Sequence, residues 1–463
     1  MKTVKKVFVT LLIIAVLASV GVTLSGCGEK KNKKDAATTE LNWTSADEYI
    51  LQIENDKVVS NNDYVVNLEK QPGKAFVVLN FADIQLSDGD WHVRTMGVQT
   101  ALGTMKELVK EIKPDLITLT GDQTYGEAYS LSKWIEVMDS FEVPWAPTFG
   151  NHDNQENDAT IAYQAKMYSE SKYCVFKQGP TNLGKNSSTR DAIGNYVVNV
   201  VERDSSARGF HVVQSILCMN TRDNQSYDDA KYQTPEMQAA KLYGGSYAAW
   251  TEEQIAWYKW AVSGVQPYGK DGKVKSTIIQ HIPNYEYIVA FDEAFKTDVD
   301  KEANHDAYLK EVLSKDLQES YKSESWNEGY TDSYGVRHEE GGTTPYPDGV
   351  HAAFLDFDDN PATDFISTTT VVSGHDHVNN YVINYQGVTY VYALKTGSGC
   401  YWEKELNGGT IISINDEGDA AVTHKYVKAK YTLIPVWSII LLCVGGIAAI
   451  VVCVFVIKKK KKA

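Results

Sequence analysis

From about Ala75 onward, short apolar runs rich in β-branched and aromatic residues alternate with longer stretches of helical periodicity. That pattern predicts strands and helices layered on one another, an α/β fold. Phe76 to Phe81 reads as a buried strand that stops just before Asp83. Met96, Leu102, Met105, Val109 and Ile112 then recur at helical steps, and Pro114 closes the helix they predict. Leu116 to Thr120 predicts a second strand, ending in Gly121-Asp122, and Leu131 to Phe141 a second helix. Trp145 to Phe149 runs into Gly150-Asn151-His152-Asp153. Thr251 and Gln254 have the spacing of a capping box ahead of a helix that carries Trp257 and Trp260. Thr277 to Gln280 ends at His281, and Thr368 to Ser373 ends in Gly374-His375-Asp376-His377. Five strand-like runs thus each terminate in a residue type that binds metals. In α/β sheets, ligands gather at the carboxyl ends of strands.

The two ends of the chain have a different character. Lys2, Lys5 and Lys6 precede an apolar stretch from Val7 to about Leu24, the pattern of a signal peptide over residues 1–26. Leu24-Ser25-Gly26-Cys27 resembles the lipoprotein box of bacteria, which implies lipidation of Cys27; an uncleaved anchor with an incidental cysteine is the other reading. Residues 27–70 are expected to be a tether and lead-in, and 71–430 the main domain. Residues 434–457 are free of charge and long enough to cross ~30 Å of hydrocarbon. The basic tail 458–463 then points to the cytoplasm, leaving the domain outside the cell and held to the membrane.

Charge narrows the partners. The chain of 463 residues has a formal net charge of −15, and its lysine clusters sit at the two ends. The body is therefore strongly acidic, which opposes binding to nucleic-acid backbones and anionic lipid surfaces and leaves room for a local cationic centre. No sequence feature specifies an oligomeric state. Outside the two apolar ends and Cys27 there are three cysteines, Cys174, Cys218 and Cys400, an odd number that does not build a disulfide framework.

Taken in order, Asp83-x-Gln85, Gly121-Asp122, Gly150-Asn151-His152-Asp153, His281 and Gly374-His375-Asp376-His377 resemble the motif set of the calcineurin-like metallophosphoesterases. The resemblance covers about Phe76 to Trp402 and implies a four-layer α/β/β/α sandwich of two mixed sheets. It further implies two metal ions, Fe, Mn or Zn, which neutralise a phosphoryl group and generate hydroxide near neutral pH. In that resemblance Asp122 bridges the metals, Asp83 and His377 bind the first, and Asn151, His281 and His375 bind the second. His152 faces the substrate as catalytic residue. Each motif alone has a blander reading, since Gly-Asp is usually a turn and paired histidines can line a strand end; the ordered set is what carries the resemblance.

Gln85 departs from the pattern, standing where the family usually has histidine; its amide oxygen is a weaker ligand. Tyr125, in Gly121-Asp122-Gln123-Thr124-Tyr125, fits the tyrosinate position of purple acid phosphatases, or is a core tyrosine in a tyrosine-rich chain. His281-Ile282-Pro283, Gly335 to Gly341 and His375 to Asn379 look like the purple-acid-phosphatase-like branch. Residues 285–350, with Trp326, Tyr330, Tyr334 and Tyr346, read either as a substrate-selecting lid in which Arg337 grips a phosphate oxygen or as a solvated excursion. The activity implied is hydrolysis of a phosphate ester, with a monoester such as a nucleotide or small organic phosphate favoured. A phosphodiesterase or sphingomyelinase-like activity is the alternative, and a non-catalytic phosphoesterase-like binding protein the rival of another class.

Overall fold

The computed structural model describes residues 33–184, 192–240, 246–313, 321–360 and 362–432. The expected signal peptide, Cys27 and the expected span at 434–457 lie outside them. Among the described residues no helix is long and apolar enough to cross a membrane.

A hairpin opens the chain: β1 (Leu51–Glu54) and β2 (Lys57–Ser60) pair antiparallel across Asn55 and Asp56. Both turn residues have positive φ, 49° and 61°, as a two-residue hairpin of right-handed twist requires. There follow β3 (Val65–Lys70), β4 (Phe76–Phe81), β5 (Leu116–Leu119) and β6 (Trp145–Pro147). Next come β7 (Tyr196–Arg203), β8 (Phe210–Cys218), β9 (Lys275–Gln280) and β10 (Thr368–Ser373). The last are β11 (Val382–Tyr385), β12 (Val388–Tyr392), β13 (Gly408–Ile414) and β14 (Ala420–Tyr426).

These strands build two mixed sheets. One has seven strands in the order β11-β12-β10-β9-β8-β7-β3, the other five in the order β14-β13-β4-β5-β6. β8, β9, β10 and β12 run parallel in the first, and β4, β5 and β6 run parallel in the second. Side chains of both sheets, including Phe81 and Leu119 from one and Val198, Ile216 and Ile279 from the other, share one buried apolar cluster. The mixed sheets and their helices are compatible with the expected metallophosphoesterase fold. Membership of β3 in the larger sheet, parallel to β7, carries the folded body N-terminal to the boundary expected at 71.

The connecting helices follow the sequence pattern closely. After a short turn, α1 (Asp88–Val93), comes α2 (Met96–Ile112), which buries Val98, Ala101, Met105 and Leu108 against β4 and β13. Lys113 ends α2 in the left-handed region, its N–H on the Val109 carbonyl, and Pro114 prevents continuation. α3 (Ala128–Asp139) begins three residues before the expected Leu131. α4 (Glu252–Val265) lies against β8 and is held by the expected capping box: the Thr251 hydroxyl accepts from the Gln254 N–H, and the Gln254 side chain accepts from the Thr251 N–H. α5 (Glu286–Ala294) lies on β11.

Parts of the segment 285–350, read as a lid or a solvated excursion, belong to the core. Tyr287, Phe291 and Trp326 are buried in the main cluster, and Phe291 and Trp326 meet edge to face at 5.8 Å.

The Thr251 hydroxyl also donates to the Leu183 carbonyl, so it serves the helix end and a neighbouring loop at once. Thr251→Ala is expected to lower unfolding free energy by about 1–2 kcal/mol, read as a lower urea midpoint at unchanged slope. An unaltered midpoint contradicts this account of the helix start.

Candidate metal centre

Parallel strands side by side deliver their carboxyl ends to one edge, and there the predicted residues meet. Asp83 follows β4, Asp122 follows β5, and Asn151 and His152 follow β6; across the other sheet His281 follows β9 and His375 and His377 follow β10. The backbone turns sharply at these points. Asp83, Gln85, Asp122 and His375 all adopt positive φ, between 46° and 77°. Each such residue other than glycine carries roughly 1–3 kcal/mol of strain, a pattern that clusters at functional sites. Two glycines are fixed by the ligands themselves. A Cβ on Gly150 would lie 2.1 Å from Asp122 Oδ1, and one on Gly121 would lie 2.8 Å from His281 Nδ1.

Hydrogen bonds assign the free lone pairs. His281 Nδ1 donates to the Thr120 carbonyl at 2.7 Å, which leaves Nε2 bare. That nitrogen faces Asn151 Oδ1 at 2.8 Å, His375 Nδ1 at 3.2 Å and Asp122 Oδ1 at 3.5 Å. His377 is oriented the same way: Nδ1 donates to the Tyr401 carbonyl at 2.8 Å, and Nε2 points to Asp83 at 3.6 Å. Ligand atoms of Asp83, Asp122 and His281 all lie within 4.8 Å of one another. A buried convergence of carboxylate, amide and imidazole lone pairs is what a hard-to-borderline cation needs. The residues present therefore fit a metal centre.

Electrostatics agree with that fit. Burial, and then the neighbouring His281, hold His375 well below the usual imidazole range, and burial with Lys395 nearby lowers His377, so both are neutral ligands. Burial would raise Asp83 too, but the neighbouring His377, His281 and Lys395 outweigh it and hold the carboxyl well down. Asp122 is pushed up to about 7 by burial, with His152 opposing and Asp83 adding to the shift.

Around this centre lies a cavity of about 300 Å³, lined by Gln85, Asp122, Asn151, His152, His375 and His377. His152 stands partly exposed at its mouth, its N–H on Asp122 Oδ1 at 2.8 Å and its Nε2 3.8 Å from Asp122 Oδ2. Gln85 reaches the site but spends its amide internally. Nε2 donates to Asp122 Oδ2 at 2.9 Å, and Oε1 accepts from Lys395 at 3.4 Å. Tyr125 is absent from the cavity lining; its ring meets His152 edge-on at 5.2 Å, and burial pushes its phenol up, away from tyrosinate.

Arg337 corrects the sequence expectation. It is fully buried, with its guanidinium donating to the carbonyls of Glu339 and Glu340, 3.4 Å from Asp292 and 5.2 Å over the Phe291 ring. It props the wall of the cavity and grips nothing inside it. Among the described residues of 285–350, the stretch from Glu339 to Gly342 lines the cavity.

Tyr247, Tyr401 and Lys395 escaped the sequence reading, and Asp153, though part of the third motif, had no role of its own there. Tyr247 and Tyr401 line the cavity, the second with its ring stacked on His377 at 4.0 Å. Asp153 accepts from the backbone N–H groups of Asp122, Thr124 and Gly150, tying the second and third motifs together. Lys395, 2% exposed, donates to the Asp83 carbonyl; it follows β12 as the other polar residues follow their strands, and that signal could have found it.

The chain belongs to the calcineurin-like phosphoesterases: the family's model matches residues 88–379. Similar solved structures include a dimetal phosphatase from Danio rerio, 11% identical, covering 75% of this chain and 98% of its own, at a TM-score of 0.38. GAP50, the anchor in the inner membrane complex of Plasmodium, is 11% identical over 78% of this chain and 92% of its own, at 0.33. A Thermus thermophilus protein, TT1561, is 9% identical over 76% and 99%, at 0.32. No curated protein matches significantly.

Two outcomes test this description. Folded Asp122 keeps its proton up to about pH 7, whereas the unfolded chain releases it near ~4; the metal-free folded state therefore loses Asp122's contribution as pH rises through that window. In chelator, Asp122→Asn should gain stability relative to the unsubstituted protein between about pH 4 and about pH 7, and Mn²⁺ should reverse the order. A stability gap that ignores pH contradicts it. Arg337→Met should cost about 3 kcal/mol of stability while leaving KM for a phosphate ester unchanged. A raised KM would return Arg337 to the substrate.

Proposed function

We propose that the protein hydrolyses phosphate esters with a pair of metal ions, Fe, Mn or Zn, and that it does so outside the cell on a membrane anchor. The observation that carries this reading is the meeting of Asp83, Asp122, Asn151, His281, His375 and His377, from five strand ends, at one cavity. Asp83 and His377 would hold one ion, Asn151, His281 and His375 the other, with Asp122 between them. Bound there, the ions neutralise the phosphoryl charge and make hydroxide available near neutral pH. The family match supports the phosphoesterase class, and the layered sheets are consistent with the four-layer sandwich expected of it.

The chain's own groups divide the remaining work. Gly121 and Gly150 let the strand ends approach closely enough for the ligands to meet. Asp153 fixes the turns that present Asp122 and Asn151. His152, partly exposed above the buried ligands, is the group free to meet the ester and to protonate the leaving oxygen. The small polar cavity suits a phosphate group, and a monoester (a nucleotide or small organic phosphate) is the favoured substrate. The motifs around His281 and His375 keep the purple-acid-phosphatase-like branch as our finer reading, although Tyr125 stands outside the cavity lining.

Purified full-length chain in detergent, stripped and reloaded with Mn²⁺, Zn²⁺ or Fe, is expected to hydrolyse an aryl phosphate. His152→Ala should lower kcat by about 10²–10³-fold, and Asn151→Ala should lower both activity and bound metal. No turnover with any of these metals, on monoester or diester, sinks the proposal.

A further inference from the structure

The chain leaves the fold beside its metal centre. β13 is antiparallel to both β4 and β14, so β14 points the same way as β4. Thr410 pairs with Asn80 on one side and His424 on the other, which puts Tyr426 level with Ala82, one residue short of Asp83. Thr432 then donates to the Gln99 side chain in the first turn of α2, at the same edge. A single residue separates Thr432 from the uncharged stretch 434–457. Two residues reach at most about 7 Å.

The surface of that edge is unusual. Among the described residues the exposed large apolar side chains are Ile53, Val93, Tyr129, Tyr401, Tyr426 and Tyr431. Val93 ends α1 after β4, Tyr129 starts α3 after β5, Tyr401 lies between β12 and β13 and lines the metal cavity, Tyr426 is the last residue of β14, and Tyr431 lies on the segment beyond it. Val93 is 74% exposed. Beside them a groove of about 1000 Å³ is lined by Lys404, Leu406, Tyr426, Lys428, Lys430 and Tyr431, and contains none of the metal-ligand set. Tyrosines with their rings half in water, flanked by lysines, are the side chains of a membrane–water boundary.

We propose that this edge rests on the phospholipid head groups of the bilayer and that the metal centre therefore acts on phosphate esters carried by lipids at that surface. The proposal rests on the phosphoesterase reading and on the expected span at 434–457, and it narrows the substrate from soluble small phosphates to membrane-borne ones. The occupant of the groove is the head-group layer itself. Tyr426 and Tyr431 sit in it, and the opening beside Tyr401 faces the same layer.

The test uses the full chain reconstituted in phosphatidylcholine vesicles that contain a phosphate-monoester lipid and a lipid with a photoreactive head group. The lipid ester should be hydrolysed with a kcat/KM at least about tenfold above that of a soluble short-chain ester with the same head group. The variant Val93→Ser/Tyr129→Ser/Tyr431→Ser, built from exposed residues away from the ligands, should lose that preference and keep its rate on the soluble ester. Crosslinks should fall on peptides holding Val93, Tyr129 and Tyr431 and spare the hairpin with Ile53. Equal rates on the two esters, or an unchanged preference in the variant, overturn the substrate assignment while leaving phosphoesterase activity intact. Hydrolysis of neither ester defeats the phosphoesterase reading itself, and the crosslinks then decide the docking on their own. Crosslinks confined to other faces overturn the docking.

Discussion

The Asp122 carboxylate is buried within 4 Å of His281 and His152, accepts hydrogen bonds from Gln85 and the His152 backbone, and feels the charge of Asp83. The side chain is 1% exposed, so in its ionised form its charge has to be matched by something inside. Protein groups alone match it poorly: the imidazole nitrogen of His281 that faces it is a lone pair, because the proton on that ring is committed to Thr120. Asn151 and His375 converge on the same nitrogen. Such an arrangement is costly without positive charge at its centre and favourable with it, which is the physical meaning of a metal site built before its metal.

That constraint explains features of the fold that packing would not ask for. Left-handed backbone at Asp83, Asp122 and His375 places each side chain across the strand end instead of along it. The strain, roughly 1–3 kcal/mol per residue, is tolerated because the strands beneath are buried on both faces and cannot shift. Leu116–Leu119 and Val78–Phe81 have essentially no exposure, and their two polar members, Asn80 and Thr118, bond to each other. Rigid parallel strands supply position, and the distorted turns supply direction.

Much of this was legible in the sequence because it is written locally. A buried strand that stops at a polar residue, repeated five times, is visible without any three-dimensional knowledge, and the observed strand ends at Phe81, Gln280 and Ser373 fall at the positions read from the pattern. Residues whose role depends on distant partners were opaque. Lys70, at the end of the stretch expected as a lead-in, is buried by Glu202 and Asp416, partners that lie far off in the sequence. Arg337 and Trp326 carry no mark that separates a lid from a wall; only Asp292, Phe291 and the neighbouring carbonyls show that they are wall. Charge and aromaticity alone do not say which way a side chain faces.

Gln85 and Lys395 form the least conventional part of the site, and they are best understood together. Where the family usually has a neutral imidazole, this chain has an amide whose oxygen accepts from an ammonium and whose nitrogen donates to Asp122. Lys395 also caps the carbonyl of Asp83, and burial lowers it to about 8, the carboxylates of Asp83 and Asp122 opposing. A largely protonated ammonium therefore stands beside Asp83 at neutral pH. On the proposed two-ion reading, repulsion between that ammonium and an incoming cation would weaken the Asp83 and His377 position relative to that of Asn151, His281 and His375. The two proposed positions would then be unequal, and the inequality would come from a lysine three residues beyond a strand end, not from the ligands themselves.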